Sequence, residues 1–277
     1  MQLSGPSKWL LRFGTAVTLV FLYVPLIVIA IYAFNVTRVQ KWPPTGLTLH
    51  WFQRAFENRG VRDALLTSVK AGLGATAIAL VLGTMASIAV ARYRFFGREA
   101  VSFLVVLPIA LPGIVTGMAL NSTFTQVLGV SLGLATIIVG HATFCVVVVF
   151  NNVVARLRRT STSFEEASAD LGARGLQTFR FVVFPQVRSA LVAGALLAFA
   201  LSFDEVIVTT FTAGQQETLP IWILANLSRP RQLPIVNVVA VLAILLSLIP
   251  VWIAQRITAD PVSAGAARAE AGGEAGA

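Results

Sequence analysis

The chain has few charged residues, few histidines and almost no thiols. Of its 277 residues 12% are charged, two are histidine and one is cysteine. A single cysteine excludes an intrachain disulfide, so we interpret Cys145 as a small core residue. His50 and His141 are too far apart in sequence to indicate a metal site, and we interpret His141 as a hydrogen-bonding core residue. No GxxxxGK[ST] loop is present. We therefore expect no ATP hydrolysis, no catalytic residues and no cofactor in this chain.

Hydrophobic residues, by contrast, make up 56% of the chain, and its mean hydropathy is +0.80. Several apolar runs are about 20 residues long, enough to cross a bilayer core of roughly 30 Å. We predict an all-α membrane protein, in contact with lipid, with six transmembrane helices at roughly 14–34, 65–90, 101–120, 127–154, 190–211 and 236–253. The net charge of +9 is explained by membrane topology, so we expect no nucleic-acid partner.

Arginine and lysine residues set the predicted orientation. They cluster before the first span, between spans two and three, between spans four and five, and after span six. Cytoplasmic loops carry this excess, so we predict that both termini are cytoplasmic, although the predicted external loops also hold basic residues. Pro108 and Pro112 lie within the third span, and we interpret them as ordinary irregular packing rather than a gate.

The chain is expected to contain three parts. Residues 1–60 hold the N-terminal cytoplasmic end, the first transmembrane helix and an external loop, with a short helix from about 51 to 58. Residues 61–257 form a core with five further spans and a cytoplasmic helix. Residues 258–277 are rich in alanine and glycine, and a tail of that composition is predicted to be disordered.

A polar, helix-forming segment lies between the fourth and fifth spans. Ser163 and Glu166 fit a capping box, and Thr162 with Glu165 fits the same pattern one residue earlier. Gly172 can end this helix in a left-handed conformation. The predicted helix is only two to three turns long, so it needs a partner surface, either the membrane or another protein. A plain amphipathic helix at the membrane interface remains the alternative at this point.

The spacing in this segment resembles a known signature. Glu166-Ala167-Ser168 is followed by Gly172 after three residues, then by Val182 after nine, then by Phe184-Pro185 after one. This order resembles the loop of binding-protein-dependent ABC importer permeases, and the resemblance covers residues 61–257. The chain departs from the pattern at Ser168, where alanine is usual.

The resemblance implies the type I permease fold of ABC importers, a bacterial inner-membrane location and a set of partners. These are a dimer of ATP-binding cassette ATPases, a second permease subunit that is a different chain, and a soluble substrate-binding protein. The loop would be a coupling helix that seats in a groove of the ATPase. The residues implied in coupling are Glu165, Glu166, Ala167, Ser168, Asp170, Leu171, Gly172 and Pro185.

A narrower similarity indicates the solute. The segments 201–205, 211–214 and 218–220, with Pro234 and Asn237, are similar to the spermidine/putrescine class of these permeases. That similarity implies import of a small cationic solute, a polyamine. Ferric iron or thiamine as the solute, and a proton-coupled secondary transporter as the class, remain alternatives.

Two adjacent acids lie within the predicted fifth span, where a charge is unfavourable by about 2.5 to 3.5 kcal/mol. Ser202, Glu205 and Thr209 recur at helical spacing. One interpretation is that Ser202, Asp204, Glu205 and Thr209 line the path of a cation. The other interpretations are hydrogen bonding between helices, a cap at a helix break, or one acid that is neutral in the membrane.

Overall fold

The computed structural model describes residues 5–258, and this range is almost entirely helical. One isolated β-bridge, between Asn35 and Leu47, is the only strand-like pairing in that range. In chain order the helices are α1 (Gly5–Ala33), α2 (His50–Glu57), α3 (Arg59–Arg92), α4 (Arg98–Ala110), α5 (Gly113–Ser122), α6 (Leu134–Arg158), α7 (Ser163–Asp170), α8 (Gly175–Thr178), α9 (Phe184–Phe203), α10 (Ile207–Thr212), α11 (Leu219–Leu227) and α12 (Leu233–Thr258). A π-helical turn follows α5 at Thr123–Val127, and another follows α8 at Phe179–Val183.

Helices long and apolar enough to cross a bilayer account for most of this fold. Among the described residues there are five, at Ser7–Ala33, Arg59–Arg92, Leu134–Arg158, Gly175–Phe203 and Leu233–Arg256. A sixth crossing results if α4 and the helical segment that follows it count as one bent span. The predicted all-α membrane fold is therefore confirmed.

Contacts group the described residues into two compact units. One unit comprises residues 5–64 and 222–246, and the other comprises residues 65–221 and 247–258. In the first unit α2 is held by Trp51, whose indole N–H donates a hydrogen bond to the carbonyl of Asn35 at 2.9 Å. The rings of Phe34 and Phe52 also pack, with centroids 4.9 Å apart. The predicted short helix near residues 51–58 is confirmed as α2.

In the second unit, α6 packs along α9 through small and β-branched side chains. The thiol of Cys145 is fully buried and donates a hydrogen bond to the carbonyl of Ala198 at 3.3 Å. A Cβ atom added at Gly194 would lie 3.3 Å from the Cα of Val149, so the two backbones approach closely. Small residues permit such contact between membrane helices. The prediction that Cys145 is a core residue is confirmed.

The predicted third span, from 101 to 120, is a broken helix in the structure. The helix stops at Ala110, resumes at Gly113 and bends by 103° between the two parts. Leu111 is extended, with φ −79° and ψ 144°, as expected for a residue that precedes proline. Pro112 has no backbone N–H and precedes the first residue of α5. The chain therefore changes direction at Pro112, and the interpretation of this residue as ordinary irregular packing stays a prediction.

The bounds of the fourth and fifth spans also need correction. Residue 127 does not begin the fourth span, because it ends a π-helical turn and α6 begins at Leu134. Gly129 lies between them with φ +62°, a conformation that ends a helix. The fifth span does not run from 190 to 211. Its helix begins at Gly175 and ends at Phe203, and the chain breaks before α10.

The predicted C-terminal tail lies almost wholly outside the described residues. Thr258 is the last residue of α12, and residues 259–277 are not described.

Candidate functional site

The polar segment between α6 and α9 forms the helix that its capping residues predict. Helix α7 begins at Ser163, with Thr162 at the N-cap position. This matches the alternative frame, one residue before the Ser163 frame. The predicted capping box does not form in either frame, since no side chain caps the helix. The N–H groups of Glu165 and Glu166 instead bond to the carbonyl of Thr162 at 2.9 and 3.0 Å.

Gly172 ends α7 as the sequence predicts. Its φ is +81°, in the region that residues with a Cβ rarely adopt. Its N–H bonds to the carbonyl of Ala169 at 2.9 Å, and the next N–H, of Ala173, bonds to the carbonyl of Ser168 at 3.1 Å. This pair of bonds is the Schellman motif, which satisfies the last carbonyls of a helix.

Much of α7 and the turn after it is exposed. No residue of α7 is buried. Phe164 is 62% exposed, Leu171 89% and Leu176 78%. Three large apolar side chains within 13 residues have no packing partner in the described chain that buries them. An exposed apolar set at the end of a short helix is typical of a surface that contacts another protein or the membrane.

Ser168 links α7 to the next helix. Its hydroxyl is joined by a hydrogen bond of 3.1 Å to the hydroxyl of Thr178 at the end of α8. Pro185 lies in the first turn of α9, where its lack of a backbone N–H leaves no donor without an acceptor. Ser168 is the position where the chain departs from the loop signature, and the alanine usual there could not make this bond.

Glu165 is held by an arginine from another helix. Its Oε1 lies 2.8 Å from Nε of Arg92, at the end of α3. The other two guanidinium nitrogens of Arg92 donate to the carbonyl of Leu157 at 3.1 Å and to the hydroxyl of Thr160 at 3.0 Å. The sequence assigned Glu165 to coupling but gave no role to Arg92. No local pattern indicates this contact, because it joins separate parts of the chain.

The two acids predicted within the fifth span lie instead in the break between α9 and α10. Asp204 follows the last residue of α9 and is exposed, and no residue of 5–258 bonds its carboxylate. Glu205 is half-buried, and its Oε1 accepts a hydrogen bond from the N–H of Val208 at 2.9 Å. Glu205 is therefore a cap at a helix break, one of the alternatives open at the sequence level.

A buried histidine joins the two sides of this break. The imidazole of His141 on α6 is fully buried. Its Nδ1 is 2.7 Å from the hydroxyl of Ser202 on α9, and its Nε2 is 2.8 Å from the hydroxyl of Thr209 on α10. The prediction that His141 is a hydrogen-bonding core residue is confirmed. The ring of His141 therefore bonds to one residue on each side of the break.

The broken third span packs against α10. A Cβ at Gly117 of α5 would lie 2.5 Å from Cδ2 of Phe211, so only glycine fits there without movement. The amide of Asn121 donates to the carbonyl of Phe211 at 2.6 Å. On the α6 side, the hydroxyl of Thr136 donates to the carbonyl of Thr212 at 2.7 Å. These contacts hold α10 between α5 and α6.

The four residues predicted to line a path are thus in different environments. Ser202 is 3% exposed and Thr209 is fully buried, and both bond to His141. Asp204 is exposed, and Glu205 is half-buried. The helical stripe that grouped Ser202, Glu205 and Thr209 assumed a continuous helix, and that assumption is wrong. No local pattern in the sequence indicates that His141 bonds to both sides of this break.

Several helices long and apolar enough to cross a bilayer, with a short exposed helix between two of them, define a multi-span membrane protein. Residues 79–260 match the model of the family described as the binding-protein-dependent transport system inner membrane component. The match covers more than half of the chain. The protein belongs to this family.

Relatives with curated names agree with this membership. The spermidine/putrescine transport system permease protein PotC of Haemophilus influenzae is 35% identical over 240 residues, which is 86% of this chain and 92% of the relative. The putrescine transport system permease protein PotI of Escherichia coli K12 is 31% identical over 214 residues, 74% of this chain and 75% of the relative. The resemblance to polyamine-class permeases is confirmed.

Solved structures share the fold. A chain of a bacterial ABC transporter that imports the acidic polysaccharide alginate superposes with a TM-score of 0.69 at 18% identity, covering 92% of this chain and 99% of that one. A chain of the MetNI methionine ABC transporter gives a TM-score of 0.56 at 23% identity, covering 72% and 93%. The predicted ABC importer permease fold is therefore confirmed.

Proposed function

We propose that the chain is the permease subunit of a bacterial ABC importer that carries polyamines across the inner membrane. The observation that carries this proposal is the exposed helix α7, which ends in Gly172 and lies between two spans in a chain of the permease family. Such a helix offers a surface that a soluble ATPase can bind. The chain itself transports, and hydrolysis takes place in the partner.

The proposed partners follow from this role. An ATP-binding cassette dimer would bind Glu166, Ala167, Asp170 and Leu171, which are all exposed. Glu165, Ser168, Gly172 and Pro185 would hold the loop in shape. A second permease subunit, a different chain, would complete the path, and a soluble binding protein would deliver the solute on the external side. Both termini and α7 would then lie in the cytoplasm.

Asp204 supports a cationic solute. It is exposed beside the C-terminal end of α9, where the helix dipole is negative. Helix ends at breaks in membrane helices are common sites for cations. Residues 189–228 contain three acids and no lysine or arginine. Relatives that are 31–35% identical carry polyamine names, and Asp204 would attract an ammonium group. Glu205 would shape the break, and Ser202 and Thr209 would position it through His141.

The test is purification of the tagged chain from its native membrane, followed by mass spectrometry and reconstitution of the complex into liposomes. Uptake of labelled spermidine or putrescine that requires ATP and the binding protein is expected. ATP-dependent uptake of ferric iron or thiamine, without polyamine uptake, would show that the solute is not a polyamine. Uptake driven by a proton gradient in the chain alone would overturn the proposal in favour of a secondary transporter.

Labelling tests the docking surface. Cys145 is fully buried, so a cysteine introduced as Ala167→Cys would be the accessible thiol of the described residues. It should react with an impermeant reagent only from the cytoplasmic side and should cross-link to the ATPase. Labelling from outside would contradict the proposed orientation.

A further inference from the structure

We propose that Arg92 is a positioning residue that fixes α7 to the ends of α3 and α6, so that a displacement of α7 moves both membrane helices. This inference rests on the proposed function, because it concerns how the work of an ATPase reaches the bilayer. Nothing in the loop signature includes Arg92, which lies at the end of a different span.

The contacts of Arg92 form a three-way junction. One guanidinium group reaches Oε1 of Glu165 at 2.8 Å, the carbonyl of Leu157 at 3.1 Å and the hydroxyl of Thr160 at 3.0 Å. These partners belong to the first turn of α7, the last turn of α6 and the link between the two helices. The hydroxyl of Thr160 also donates to the carbonyl of Leu157 at 2.9 Å. A single side chain therefore ties three segments together.

Partial burial makes this junction stronger than an ordinary surface pair. The side chain of Arg92 is 10% exposed and that of Glu165 is 22% exposed. Exposed ion pairs contribute little, because water and salt screen them. Here most of the pair is removed from water, and Glu165 is the only carboxylate within salt-bridge distance of Arg92 among residues 5–258. The junction is also specific to arginine, since its planar fork places several donors in fixed directions that an ammonium cannot reproduce.

The link between α6 and α7 explains why such a junction is needed. Residues 159–162 connect the two helices without being helical themselves. A free link of four residues would bend when α7 moves, and it would absorb the movement. The bond from Arg92 to Thr160 holds the middle of this link, while the pair with Glu165 holds the start of α7. The movement then passes to α6 and α3.

The other end of α7 is fixed separately. The bond between Ser168 and Thr178 ties the end of α7 to α8, which continues into the span that ends at Phe203. Helix α7 is therefore anchored near both ends, by Glu165 on one side and by Ser168 on the other. We expect loss of the Arg92 junction to weaken transmission to α3 and α6 while the docking face of α7 remains available.

Coupling efficiency in the reconstituted complex distinguishes positioning from a purely structural role. ATP hydrolysis and polyamine uptake are measured on the same liposomes for R92A, E165A and the double variant. We expect hydrolysis to stay within about twofold of wild type, while uptake per ATP falls by about threefold or more, because R92A removes the ion pair with Glu165 and two hydrogen bonds from a charged group. The double variant should be no worse than R92A alone, because both changes break the same junction.

Arg94→Ala is the matched control. Arg94 is two residues further along the chain and exposed, and no described residue bonds its side chain. Its removal deletes the same charge from a position just after the end of α3, so uptake per ATP should equal that of wild type. An equal loss in the Arg94 and Arg92 variants would show that charge alone matters and would overturn the inference.

Two further variants decide the question if R92A fails to assemble. R92K keeps the charge and E165Q keeps an acceptor oxygen, so each retains part of the junction. Each should give an uptake per ATP between that of R92A and that of wild type. Normal uptake per ATP in both would overturn the inference, as would a parallel fall of hydrolysis and uptake. A wild-type complex that hydrolyses ATP but imports no polyamine would instead contradict the proposed function.

Discussion

The carboxylate of Glu205 accepts a hydrogen bond from the backbone N–H of Val208 at 2.9 Å, which makes this acid the cap of α10. Its neighbour Asp204 has no such bond and is exposed at the end of α9. Two acids adjacent in sequence are therefore in different environments, one bonded to the backbone and one exposed. The break between α9 and α10 separates them, since a continuous helix would leave both carboxylates without a backbone N–H to cap.

This difference predicts unequal effects of removing charge. Asp204→Asn keeps the size and hydrogen-bonding capacity of the side chain but removes its charge. If Asp204 contacts the polyamine, uptake at low solute concentration should fall about tenfold, equivalent to about 1.4 kcal/mol of binding. The measurement is ATP-dependent uptake by the complex, normalised to assembled protein.

Glu217→Gln provides the control for Asp204→Asn. Glu217 is also exposed and also lies in the stretch without basic residues, but outside the break. Polyamine uptake by the Glu217→Gln variant should match that of wild type. Equal uptake by the Asp204→Asn variant and wild type would remove Asp204 from the path.

The buried histidine carries a prediction about stability. His141→Ala removes the ring that bonds both Ser202 and Thr209; the hydroxyl of Thr209 keeps its bond to the carbonyl of Glu205, but the buried hydroxyl of Ser202 loses its partner. An unsatisfied buried polar group costs about 1–3 kcal/mol, so we expect a clear fall in the midpoint of thermal unfolding in detergent. Thr143→Ala is the control, because Thr143 bonds only to the carbonyl of Gly140 in its own helix. Similar unfolding midpoints for the two variants would contradict a special role for His141.

Local signals in the sequence were sufficient for α7 and insufficient for the break. Gly172 and the acids after Thr162 predicted a short helix and its end, because caps act within a few residues. At Asp204 the two adjacent acids left a helix break as one of several interpretations, since no glycine or proline is near them and apolar residues continue through Val208. The break is held by His141, which is 61 residues from Ser202 in sequence.

The third span and Arg92 were likewise not predictable from local sequence, because their contacts join distant parts of the chain. Pro112 was visible as a point of weakness, but the size of the bend was not. The space open to α5 is set by α10, through contacts such as that of Gly117 with Phe211. Arg92 was interpreted only as a positive charge on the cytoplasmic side. Its contact with Glu165 became visible once the ends of α3 and α6 were placed together.

Close packing of α5 on α10 predicts that a methyl group added at Gly117 destabilises the protein. Its Cβ would lie 2.5 Å from Cδ2 and 3.1 Å from Cγ of Phe211. Overpacking of this kind costs about 1–3 kcal/mol, so Gly117→Ala should unfold at a lower temperature. Gly14→Ala, where no atom lies within 4 Å of the added Cβ, should unfold like wild type. Adding Phe211→Leu should restore part of the loss, and a Gly117→Ala variant as stable as wild type would contradict this packing.

Two glycine variants at the end of α7 test whether its left-handed backbone conformation matters. Gly172 has φ +81°, whereas Gly175, three residues later, has no positive φ, and neither would meet an atom within 4 Å if a Cβ were added. Any difference between Gly172→Ala and Gly175→Ala therefore reflects backbone conformation alone. A residue with a Cβ in the left-handed region costs roughly 1–2 kcal/mol. We expect the end of α7 to fray in Gly172→Ala, and the ATPase to co-purify less well.

Asparagine tests the conformational cause directly, because it tolerates the left-handed region better than alanine does. Gly172→Asn should therefore retain more of the ATPase than Gly172→Ala, although its side chain is larger. Gly175→Ala should co-purify the ATPase as well as wild type does. If Gly172→Asn bound less ATPase than Gly172→Ala, side-chain size would decide and the docking helix would not depend on its Schellman end. If all three variants bound it equally, ATPase binding would not depend on the left-handed end of α7.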